Sequence, residues 1–111
     1  MLRGKGTKRQ REMRRHLRRL APRIPYGDAE AVLDGALAPH LRHLPPAIAL
    51  WQAMTARVRH AHSPYETLLD EGYDRDAARF FVLDDMNATL QDWGVTRRVD
   101  ADGSDDGADH T

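Results

Sequence analysis

The 111-residue sequence contains no cysteine, which excludes disulfide bridges, thiolate metal ligands, a cysteine nucleophile and a thiol redox switch. Long apolar runs are also missing. The longest, Ala47 to Trp51, is far below the ~20 residues of a membrane-crossing helix, and the amino terminus lacks the apolar stretch of a secretory leader. A glycine-rich phosphate loop, paired metal-binding carboxylates, a nucleophile elbow and an internal repeat are all absent. Aromatic residues are only 6% of the chain, and Trp51 and Trp93 fall on apolar helical faces, so both are assigned to a core rather than to base stacking. What remains is ordinary for a folded domain: 41% apolar and 31% charged residues in 12.6 kDa, enough for one small core. The expected setting is intracellular and cytoplasmic.

The formal net charge of zero is a cancellation between zones. Residues 1 to 23 carry ten Lys/Arg and one acid, Glu12. Residues 24 to 99 carry seven Arg against eleven acids, and residues 100 to 111 carry five Asp with no Lys or Arg. The composition therefore divides the chain into a basic arm with a basic amphipathic helix (1–23), a compact helical domain (24–99) and an acidic tail expected to be disordered (100–111).

Periodicity predicts an all-α domain of about four to five helices with flexible charged termini. Met13, Leu17 and Leu20 form a narrow apolar stripe on an Arg-covered helix over 9–20, which Pro22 and Pro25 terminate and which is expected to dock weakly. Asp28 is read as the N-cap of a second helix through Ala38, closed by Pro39. Pro45 and Pro46 open a third helix to about His62, with Ala47, Leu50, Trp51, Met54, Val58 and Ala61 on one face. Ser63-Pro64-Tyr65-Glu66 reads as a capping box for a short helix that Gly72 stops. Asp74 caps a last helix, Arg75 to Trp93, ended by Gly94.

The run A-R-V-R-H-A-H-S-P-Y-E-T-L-L at 56–69, followed by D-R-D-A-A-R at 74–79, resembles domain of unknown function family 2293. Its members show R-H-x-x-T-x-Y-D-x-L-L, then D-R-x-x-A-R and a late Trp. Arg59, His60, Tyr65, Leu68, Leu69, Arg75, Ala78, Arg79 and Trp93 fit this pattern directly; Ser63 and Glu66 replace Thr and Asp. R-I-P at 23–25 is similar to the family's entry segment, and Arg57 stands where many members carry His. The resemblance spans roughly residues 20 to 94 and implies no activity.

Three functional readings follow from the residues. The first is a binding module whose basic run, Lys5, Lys8, Arg9, Arg11, Arg14, Arg15, Arg18 and Arg19, contacts nucleic acid, because clustered cations displace counterions from phosphates. The second is a structural or regulatory protein–protein module. Phe80 and Phe81 point about 100° apart on a helix, so one of them is available to a second subunit, and a homodimer fits. The third is a small hydrolase or nuclease with Arg59, His60 and Tyr65 as acid/base and anion-holding candidates. No cofactor is expected. The pairs His40/His43 and His60/His62 have no acid at ligand spacing, so no metal is expected. Ser63, Glu66 and Arg79 are expected to form a structural polar network. In it Arg79, on the apolar arc of the last helix, would find an acceptor in Asp70, Glu66, the Tyr65 hydroxyl or carbonyls near His62; its rival role is to bind an anion.

Overall fold

Helix α3, Pro46–Ala61, is the axis on which the rest of the molecule is laid. In the computed structural model, which describes residues 6–100, its residues Ala49, Leu50, Ala53, Met54 and Val58 are buried, and the helix packs against three other long helices. These are α1, Lys8–Leu20, α2, Tyr26–Ala36, and α6, Leu83–Asp92. Two short helices, α4, Tyr65–Asp70, and α5, Arg75–Phe81, close the carboxyl end of α3, and a single 3-10 turn, Pro39–Leu41, links α2 to α3. The chain is all-α, as the periodicity predicts. The expected flexible end around Lys5 and the acidic tail past Asp100 lie outside the described residues.

The proposed entry points hold where proline sets the backbone. Pro45 occupies the extended N-cap position of α3 with Pro46 as first helical residue, and the amides of Ile48 and Ala49 both reach the Pro45 carbonyl. Helix α1 begins with a capping box that the sequence reading did not find: Thr7 Oγ1 accepts from the Gln10 amide at 3.1 Å, and Gln10 Oε1 accepts from the Thr7 amide at 2.8 Å. Its apolar stripe is not weakly docked. Met13 is wholly buried, as Leu17 and Ala21 nearly are, so α1 belongs to the core.

Three local expectations are corrected. Helix α2 starts at Tyr26, because Pro25 with its fixed φ takes the N-cap place; Asp28 lies inside the first turn and is buried. The capping box at 63–66 does not close: Ser63 Oγ accepts from the Tyr65 amide and donates to the Arg59 carbonyl, while Glu66 turns away to His60. The last helix is two helices broken at Val82, which has φ −99° and ψ 3°. The physical reason is register. Ala78, Val82, Met86 and Leu90 are spaced by four and all buried, yet on a straight helix such a row drifts by about 40° per step. One bent residue keeps the row on the core.

The two ends of the fold meet in a seam. The Arg23 amide donates to the Trp93 carbonyl at 2.9 Å, and the Arg23 guanidinium reaches the carbonyls of Gln91 and Asp92, satisfying the last turn of α6. Gly94 is required here on two counts: its φ is 86°, and a Cβ would stand 2.9 Å from the Pro22 ring. Beyond it, buried Asn87 exchanges two hydrogen bonds with the Val99 backbone, and Arg97 stacks 4.0 Å above the Trp51 ring. Residues 95–99 are thereby held against α6 and α3.

Candidate functional site

The carboxyl-terminal turns of α3 read T-A-R-V-R-H-A-H, with Val58 fully buried between two arginines. One residue either side of Val58 is a rotation of about 100°, so Arg57 and Arg59 leave the helix on opposite flanks. Their surroundings differ completely.

On the α2 flank, Arg57 Nε donates to Asp28 Oδ1 at 2.8 Å, and His62 Nε2 meets the same oxygen at 2.8 Å. Asp28 is only 6% exposed. Burial pushes its carboxyl up, but the hydrogen bonds and charges of His62 and Arg57 outweigh this and leave it below its ordinary value. His62 also sets its ring edge-on to Trp93, with centroids 5.6 Å apart. A carboxylate near a helix start and a histidine just past a helix end thus clamp α2, α3 and α6 together.

On the other flank, the Arg59 guanidinium lies over the ring of buried Tyr65, 5.8 Å from its centroid, and Arg79 approaches from α5. The Nε atoms of both arginines are buried without a hydrogen-bond partner. Neither guanidinium has an ion pair or a hydrogen bond among the described residues. Burial first, and the charge of Arg79 second, pull Arg59 below the ordinary arginine value. Arg79 therefore has none of the acceptors expected for it, and Ser63, Glu66 and Arg79 do not form one network. Ser63 bridges backbone groups, Glu66 holds His60 Nδ1 at 3.1 Å on the surface, and Asp74 is spent capping the Ala77 amide. Of the three acid/base candidates, Arg59 and Tyr65 come together. His60 faces outward at the surface and also edges a groove between α2 and α3.

That groove, of about 470 Å³, is lined by the small residues Ala31, Gly35, Ala53 and Ala56 together with His40, Arg57 and His60. Gly35 exists there for packing: a Cβ would sit 3.3 Å from that of Ala53. His43 is exposed elsewhere and His62 is taken by Asp28, so the histidines do not converge; among the described residues no group of three or more His, Cys, Asp or Glu could hold a metal ion.

The basic residues of α1 divide into two sets. Arg9 donates to the Leu44 carbonyl at 2.7 Å and Arg14 pairs with Glu30 at 3.3 Å, so these two serve the fold. Lys8, Arg11, Arg15, Arg18 and Arg19 are exposed. At about 100° per residue they fall within an arc of about 100° opposite Met13 and Leu17. Lys5 lies outside the described residues.

No helix among the described residues is long and apolar enough to cross a membrane. No curated protein and no solved structure matches the chain. The sequence model of one family, described as "Uncharacterized conserved protein (DUF2293)", does match, over residues 16–94. This span runs from the middle of α1 to the glycine that ends α6 and encloses both flanks of α3, together with the paired runs at 56–69 and 74–79. The chain is a member of the DUF2293 family.

Proposed function

We propose that the protein is a binding module that engages nucleic acid through the outer face of α1. The observation that carries this reading is the cationic stripe: five exposed Lys and Arg, spread over about 16 Å of one helix face, on a helix anchored by buried Met13 and Leu17. Anchoring matters because a rigid row of cations gives up less conformational freedom on meeting phosphates than a loose tail does. The first turn of α1 has no acid, and the one acid of the helix, Glu12, falls just outside the arc.

Binding should be electrostatic and weakly sequence-selective. With five phosphate contacts, log K against log salt for duplex DNA should fall with a slope of about −4.5. Deleting α1 is the wrong test, because Met13 and Leu17 belong to the core; reversing Arg15 and Arg18 to Glu leaves the packing intact. Fluorescence anisotropy with a labelled duplex should then show at least a tenfold loss of affinity at low salt. Unchanged affinity would exclude the stripe.

The second reading, a protein–protein module or homodimer, is favoured by a different patch. Tyr73, Phe80 and Phe81 are 44%, 58% and 55% exposed and stack edge-on at the α4–α5 corner. A protein that sediments as a monomer and binds polyanion with the slope above would set it aside.

A further inference from the structure

Two guanidinium groups brought together, partly desolvated and without a counter-charge among the described residues are an electrostatic cost that those residues do not recover. Arg59 and Arg79 come from different helices, and each points a buried Nε–H at no acceptor. Carboxylates are not scarce nearby, but each one in reach by sequence is otherwise engaged or turned to solvent. Glu66 holds His60, Asp74 caps α5, and Asp70 is exposed. Both arginines are partly exposed although their Nε atoms are buried, and the Arg59 guanidinium lies 5.8 Å from the centroid of the Tyr65 ring.

We propose that Arg59 and Arg79 are the two arms of an anion site for a phosphate group, held over Tyr65 at the junction of α3, α4 and α5. Two guanidinium forks together offer the donors and the double charge that match a phosphate dianion, whereas a carboxylate, with two oxygens and one charge, satisfies one fork. This site is independent of the α1 stripe: it lies on other helices, and either can fail without the other. The shared ligand chemistry is the phosphate dianion, whether free or carried as a monoester of a small molecule.

The test uses the full chain in phosphate-free buffer at constant ionic strength, titrated separately with inorganic phosphate, glycerol 1-phosphate and acetate. Inorganic phosphate should saturably shift the Arg59 and Arg79 Nε–H resonances in nitrogen-15 spectra and raise Tm in step. Glycerol 1-phosphate saturating at lower concentration identifies a monoester ligand; equal or weaker saturation identifies free phosphate. Arg59→Gln and Arg79→Gln should each weaken phosphate binding at least tenfold, while Arg42→Gln, an exposed arginine in the α2–α3 connection, leaves it unchanged. Three results overturn the proposal: phosphate leaves both Nε–H resonances in place, acetate moves them as strongly as phosphate, or binding survives both glutamine variants. Because the resonances are read in the unaltered protein, a variant that fails to fold does not rescue the idea.

Discussion

Arg57 and Arg59 are two residues apart on one helix, yet one meets a carboxylate and the other meets a second arginine. On the Asp28 flank a buried acid is matched by two donors, Arg57 and His62, and the charges close on themselves. On the Arg79 flank two cations share a partly buried space with no paired acid among the described residues. The first arrangement has a complete structural explanation: it ties α2 to the end of α3. The second has none among the described residues. The lesson is that burial of charge is informative only together with its partners; an arginine that is half buried and satisfied reports on folding, and one that is half buried and unsatisfied reports on something yet to arrive.

The comparison can be broken by mutation. Asp28→Ala should have the largest effect, because it strands the Arg57 and His62 donors at once; a loss of about 2 kcal/mol is expected by urea denaturation. No loss would mean that the clamp is decorative and that the two flanks do not differ in kind.

Acid should reproduce part of that loss. The folded carboxyl of Asp28 is held below its unfolded value of about 3.9, so its contribution is fully present above that pH and is lost as pH falls through the folded pKa. The stability gap between wild type and Asp28→Asn should therefore narrow as pH falls from about 5 to below about 4. A gap independent of pH over that range would show that the carboxylate charge contributes nothing.

Arg79→Met should have the smallest effect, within about 0.5 kcal/mol of wild type or slightly stabilising in phosphate-free buffer, since the stem still packs and no acceptor is left behind. A destabilisation of more than about 1 kcal/mol would mean that Arg79 holds the fold together and would erase the contrast.

Much of the fold was legible because burial repeats with helical period. Leu50, Trp51, Met54 and Val58 are read from spacing alone, and Gly72 and Gly94 mark helix ends because both adopt positive φ, 102° and 86°. The break at Val82 was not legible: no proline or glycine announces it, and it follows from keeping a row spaced by four on the core. Asp28 was misread because a carboxylate beside a helix start has two uses, capping its own helix or pairing with another, and only tertiary structure tells them apart. Arg79 was misread for the opposite reason. The cost of an unpaired buried guanidinium is real, so an acceptor was expected inside the chain, and the described residues provide none. Of the α1 cations, sequence gave the row but not its division, since Arg9 and Arg14 find partners on distant segments.

The seam between Arg23 and the end of α6 also has a kinetic meaning. Arg23 and the Asp92 carbonyl are separated by 69 residues, so bringing them together closes a loop whose entropy alone costs roughly 4 kcal/mol. Most other contacts join helices that are neighbours in the chain and can form early and cheaply. The seam is therefore expected to form late in folding and to open early. Amide hydrogens in the final turn of α6 should thus exchange with solvent sooner than those of α3, although both helices are equally part of one core.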